Sequence, residues 1–107
     1  MWTQARDYFQ SALDNKKKHY ESLKYYGLSE LKLGNLEQAE EAFDRGLDKA
    51  RDLKADFEYC MGLLRMAQED YQEADRSLRR ALAQNNSVAE YHIALGDVNF
   101  FQGIPAL

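Results

Sequence analysis

The sequence predicts an all-α solenoid of stacked antiparallel helix pairs, and three observations predict it. First, Leu36, Ala39, Phe43 and Leu47 return as Tyr71, Ala74, Leu78 and Leu82, and the same spacing stands earlier as Trp2, Ala5, Phe9 and Leu13. Second, Gly27, Gly62 and Gly96 interleave with that set at steps of 35 and 34 residues. A fixed period of this length marks helix–turn–helix units, which bury their apolar faces only by stacking on one another. Third, the 107 residues include one proline and six glycines, and strong helix formers dominate.

Taken in order, residues 2–19 read as the second helix of a preceding unit, from Trp2 to about Asn15, followed by the basic run Lys16, Lys17, Lys18. Cations complement the dipole at a helix end. The run therefore reads as a solvated terminus, with an anion or partner contact as its other reading. Residues 20–54 form a complete unit. Its first helix spans 20–34, with Tyr20, Leu23, Tyr26, Leu31 and Leu33 as apolar positions. Gly34 suits a left-handed helix stop and Asn35 suits the cap of the next helix. The second helix runs from Leu36 to about Arg51. Ala39, Phe43 and Leu47 stripe one face of it, while Glu37, Glu41, Asp44 and Asp48 form a solvated surface.

Residues 55–88 repeat the unit: a helix over 55–68, a turn at Glu69-Asp70, and a helix from Tyr71 to about Gln84. Asn85-Asn86-Ser87 is a turn signal. Residues 89–107 hold a further, truncated unit, with a first helix over 89–102 and a turn at Gly103-Ile104-Pro105. Glycine inside a helix costs about 1 kcal/mol relative to alanine. Gly27, Gly62 and Gly96, mid-helix in equivalent positions, therefore predict close helix–helix approach. Ala5, Ala39 and Ala74 supply small partners for that approach.

Composition narrows the function. The chain is 45% apolar and 30% charged, with a net charge of −4. That balance argues against nucleic acid, whose binding relies on a basic surface. The single cysteine, Cys60, allows no intrachain disulfide and is compatible with a reduced, cytoplasmic setting. The start, MWTQARDYFQ, lacks the pattern of a signal peptide. No apolar run approaches the roughly 20 residues that span a bilayer, so no direct membrane insertion is expected.

The repeated residues resemble the tetratricopeptide repeat (TPR). The match runs through Tyr26-Gly27, Gly34, Leu36, Ala39, Phe43 and Gly46-Leu47, with glycine where the family has its last alanine. It continues through Met61-Gly62, Tyr71, Ala74, Leu78 and Ala81-Leu82, with Glu69 for the turn glycine. Leu95-Gly96 and Gly103 begin another copy, and Trp2, Ala5, Phe9 and Ala12-Leu13 end an earlier one. Departures exist. The early aromatic position holds Leu23, Glu58 and His92; a later tyrosine position holds Glu30, Arg65 and Asn99; Arg51 and Asn86 replace the closing proline. The first complete unit has one extra residue, so its second helix is expected to run longer. The resemblance implies a right-handed superhelix of helix pairs and a non-catalytic protein–protein interaction role as adaptor or scaffold.

In that family the stacked first helices line a concave groove. The resemblance places Lys24, Leu28, Leu31 and Lys32 on it in the first unit, Tyr59, Leu63 and Met66 in the second, and Ile93, Asp97 and Phe100 in the third. Such a surface suits a peptide or amphipathic helix with apolar anchors. The competing reading is that some of these residues pack between units. Some family members hold a C-terminal carboxylate with Lys and Asn. Here Lys24 matches one such Lys, but Leu28, Cys60, Glu90 and Ala94 occupy the remaining clamp positions, so that ligand is not implied.

Terminal repeats of a solenoid need polar caps. The chain opens on a second helix and closes after a first one, so we expect a segment of a longer repeat protein. Trp2 and Phe9 at one end, and Tyr91, Leu95 and Val98 at the other, are expected to lack a covering helix. They offer a homo-oligomer contact, head to tail or as a closed dimer. That assembly role is the alternative to groove binding. Phe101 fits either the groove edge or that end.

The remaining side chains carry no recognisable chemistry. Cys60 reads as a small buried hydrophobe. His19 and His92 fall in different units, without metal-ligand spacing. No phosphate loop, serine elbow, metal motif or cofactor signature is present, so no enzyme is expected. Arg76, Arg79 and Arg80 read as a soluble surface or as a charged convex contact.

Overall fold

The computed structural model describes residues 16–103, with side chains from Lys18 onward. Five α-helices follow one another, with no strand among the described residues. They are α1 (Lys16–Lys32), α2 (Leu36–Lys49), α3 (Lys54–Ala67), α4 (Tyr71–Gln84) and α5 (Ala89–Phe101). Short turns fold α1 onto α2 and α3 onto α4, and α2 and α4 then pack against α3 and α5. The fold is all-α, made of the expected helix pairs. The opening helix expected over residues 2–15, with Trp2 and Phe9, lies outside the described residues. Lys16–His19 belong to α1, which is continuous with the helix expected from Tyr20.

The repeat is visible residue by residue in the core. α2 buries Ala39, Ala42, Phe43 and Gly46; α4 buries Ala74, Ser77, Leu78 and Ala81, each 35 positions later. One core cluster joins α1, α2 and α3 around Leu23, Phe43, Phe57, Cys60 and Leu64. A second joins α4 and α5 around Ala74, Leu78, Ala94 and Val98. Tyr59 packs against both. Phe43, Phe57, Leu78 and Val98 are fully buried, and each such side chain contributes about 1.5–3 kcal/mol of burial.

The glycine expectation holds at two of three sites. A Cβ on Gly27 would overlap the Phe43 ring, and one on Gly62 would stand 2.8 Å from Leu78. Nothing lies within 4 Å of the equivalent point on Gly96, because α5 has no second helix beside it among the described residues. A further close approach accounts for a departure from the family pattern: a Cβ on Gly46 would overlap the Phe57 ring.

The turns repeat as closely as the core. Leu33 N donates to the Ser29 carbonyl and Gly34 N to that of Leu31. The same pair recurs from Gln68 to Leu64 and from Glu69 to Met66, and again from Gln102 to Val98 and from Gly103 to Phe100. The middle residue takes a positive φ each time: 83° at Gly34, 61° at Glu69 and 72° at Gly103. Two local expectations change. Asn35 stands at the N-cap of α2 without a side-chain cap bond; its amide instead donates to the buried Glu30 carboxylate at 2.8 Å. Asp70 does cap α4, accepting from Glu73 N. The extra residue of the first unit does not lengthen its second helix, since α2 and α4 each span 14 residues. The links from α2 to α3 and from α4 to α5 are both four residues long, and the extra residue falls instead in α3, which spans 14 residues against 13 in α5.

A left-handed backbone costs a residue with a Cβ roughly 1–2 kcal/mol. Glu69→Gly therefore stabilises the fold by about 1 kcal/mol, raising Tm by roughly 4–8 °C for a domain of this size. Thermal unfolding followed by circular dichroism checks this, and an unchanged or lowered Tm contradicts it.

Candidate functional site

The three first helices present one repeated face. Lys24, Tyr59 and Ile93 are equivalent, as are Leu28, Leu63 and Asp97, and Leu31, Met66 and Phe100. Side chains separated by about one and two helical turns share a face, so each triplet continues a row across α1, α3 and α5. The rows are not equally open. Leu28 and Leu31 are half-buried against the first core cluster. Tyr59, Leu63 and Met66 are half-buried. Ile93 is 63% and Phe100 78% exposed.

Between α3 and α5 the face deepens into a cavity of about 150 Å³, lined by Tyr59, Leu63, Met66, Glu90, Ile93, Ala94 and Asp97. It gathers Tyr59, Leu63, Met66, Ile93 and Asp97 from the expected groove set. Glu90 and Ala94, singled out from the sequence only as mismatches to a carboxylate clamp, complete it. Its volume is well below the roughly 300–1,000 Å³ of a small-molecule site. It suits a single side chain.

The other expected groove residues sit differently. Lys32 is exposed at the end of α1, outside the cavity. Phe100 lies edge-on to Phe101, and the Phe101 ring stacks on Tyr71 of α4, 5.5 Å between centroids. Phe101 therefore belongs to the α4–α5 edge. Lys24 is engaged: its ammonium pairs with Asp56 of α3 at 3.6 Å and lies 5.0 Å from the Tyr25 ring centroid. It ties α1 to α3 and is not a free groove cation.

Asp56 also receives the Tyr91 hydroxyl from α5 at 2.6 Å, so one carboxylate links all three first helices. The Tyr91 ring lies 5.1 Å from that of Tyr59. Burial, reinforced by that hydrogen bond and the Asp56 charge, pushes the Tyr91 phenol far above its ordinary pKa. This corrects one sequence expectation. Tyr91 and Val98 are buried at 2% and 0% exposure, facing α3 and α4, and do not form an open end. Leu95 is half-buried beside the same cluster. The repeat carried the signal: 34 positions before Tyr91, Ala94 and Val98 stand Phe57, Cys60 and Leu64, all buried.

Cys60 is fully buried, and burial pushes its thiol up to about 12 against the lowering effect of Lys24. It is an inert core residue. Glu58, where the family has an aromatic, is buried, and burial raises its pKa against the opposing Arg80 and Lys54. The His92 ring donates to the Asn86 carbonyl at 2.8 Å, bracing the α4–α5 turn. Arg76 pairs with Glu73 and Arg79 with Asp75 along α4, leaving Arg80 beside Glu58. Among the described residues there is no cluster of metal-ligating side chains, and no helix is long and apolar enough to cross a membrane.

Helix pairs, turns and buried positions thus repeat at one period, and the sequence profile of the tetratricopeptide repeat matches residues 2–53 and 59–106. The chain belongs to the tetratricopeptide repeat family. No curated protein and no solved structure matches it. Tetratricopeptide repeats are protein–protein interaction modules and are typically non-catalytic. In this TPR array the Lys24–Asp56–Tyr91 link joins the three first helices.

Removing the phenol tests that link. Tyr91→Phe keeps the ring but removes its hydrogen bond to Asp56, which is 38% exposed and keeps Lys24, so the loss costs about 0.5–1.5 kcal/mol. Urea unfolding measures it; a change under about 0.5 kcal/mol, the range of ordinary surface substitutions, contradicts the role assigned to Tyr91.

Proposed function

We propose that this chain is a non-catalytic binding module that takes a peptide or helix of a partner protein in the groove between α3 and α5. The observation that carries the reading is the cavity, where apolar walls from Tyr59, Leu63, Met66, Ile93 and Ala94 meet the carboxylates of Glu90 and Asp97. A few polar groups around an apolar depression suit recognition of an anchor side chain. The exposure of Ile93 and Phe100 supports it, since large apolar side chains open to water gain by being covered.

A second reading is assembly through the array's faces. The open surface at Gly96 favours it, because the equivalent Gly27 and Gly62 receive Phe43 and Leu78. A Gly96 face that repeats this geometry accepts a helix from another copy.

Affinity capture from source lysate separates the two. The bait is the wild-type chain against an Ile93→Glu, Phe100→Glu double variant of confirmed helicity. Both positions are exposed, so the fold persists. Groove binding predicts loss of a discrete partner from the variant. An unchanged partner set contradicts it and moves the function to the Gly96 face.

A further inference from the structure

The charge around the cavity narrows the class of partner. At about 30 Å³ per water in the liquid, a cavity of about 150 Å³ holds one side chain of the partner. Its rim is acidic. Glu90 and Asp97 both line it and lie seven residues apart on α5, which sets them about 10 Å apart along the helix. The neighbouring Asp56 is engaged by Lys24 and Tyr91. Glu90 and Asp97 have no ion pair or hydrogen bond of that kind among the described residues. Glu90 sits in the first turn of α5, where a carboxylate complements the dipole; Asp97, two turns on, has no such role. Burial raises the Tyr59 phenol, with Glu90 among the lesser causes. The chain's net charge of −4 draws cationic partners in the same direction.

Resting on the reading that this groove is the recognition site, we propose that its partner is a protein segment with one apolar side chain bracketed by two basic residues. The apolar side chain fills the space between Leu63, Met66 and Ile93. A lysine or arginine on either side pairs with Glu90 or Asp97, its aliphatic stem lying over the apolar wall. The spacing of about 10 Å sets the pattern. In a helical segment the basic residues stand about seven positions apart, with the anchor midway. In an extended segment, where side chains alternate between faces, they stand about four apart, so that the anchor midway between them shares their face.

A displayed library of random peptides about three helical turns long is the probe. It is selected against the wild-type chain, a Glu90→Gln, Asp97→Asn variant and an Ile93→Ser variant, each confirmed as folded. The wild type is expected to enrich a basic–apolar–basic pattern at one of the two spacings. The amide variant is expected to keep the apolar preference and lose the basic one, and Ile93→Ser to lose the selected peptides. Replacing either arginine of a selected peptide by neutral citrulline is expected to weaken binding on the order of tenfold. Apolar peptides without basic enrichment, or a basic preference that survives in the amide variant, overturn the proposal and leave the groove reading standing. Peptides that bind Ile93→Ser as tightly as wild type overturn the groove reading itself, and a library that yields no enrichment overturns both.

Discussion

The arrangement depends on one close contact, the Phe57 ring of α3 against Gly46 of α2. Both residues are buried, and no side chain on Gly46 fits beneath the ring. This is a contact between units, so it sets how the second helix pair sits on the first. Phe57 also fixes the rotation of α3. With successive side chains about 100° apart on a helix, seating Phe57 inward places Cys60 and Leu64 in the core on the same face. It turns Asp56 toward Lys24 and Tyr91, and Tyr59 toward the cavity. Within each unit the same device recurs, with Gly27 under Phe43 and Gly62 beneath Leu78.

The candidate site inherits its rigidity from that packing. Tyr59 packs against both core clusters while lining the cavity. Its neighbour Tyr91 is held by Asp56, which Lys24 holds in turn. The cavity is thus built on helix faces whose orientation is set by buried contacts. The apolar wall draws on both helices, Tyr59, Leu63 and Met66 from α3 with Ile93 and Ala94 from α5, while Glu90 and Asp97 of the acidic rim stand on α5 alone. The α3–α5 spacing therefore sets the width of the cavity.

Much of this was legible in the sequence, because the repeat makes each position a copy of another. The small residues of α2 and α4 and the turns follow from spacing, and the rows expected to face a groove on α3 and α5 follow from the family resemblance. What spacing could not supply was pairing between helices. Lys24 reads as a groove cation until Asp56, 32 positions away, is found beside it. Asn35 has the right chemistry for a cap, but the buried Glu30 carboxylate competes for its amide. Tyr91 and Val98 read as an open end because no following helix is expected to cover them. Their stripe packs backward onto α3 and α4, as the buried Phe57, Cys60 and Leu64 do in the preceding unit. Glu90 and Ala94 stand out in the sequence only as mismatches to a carboxylate clamp, and nothing in their spacing marks their place in the cavity.

The most direct test of the account is a double-mutant cycle between Gly46→Ala and Phe57→Leu, measured by urea unfolding. The account predicts that Gly46→Ala destabilises the wild-type chain by about 1–3 kcal/mol through overpacking. In the Phe57→Leu background, where the ring is gone, the same substitution loses most of that cost. The coupling energy then exceeds the roughly 0.5 kcal/mol expected of independent sites. Additive effects would contradict the claim that the Gly46–Phe57 contact sets the stacking of the units.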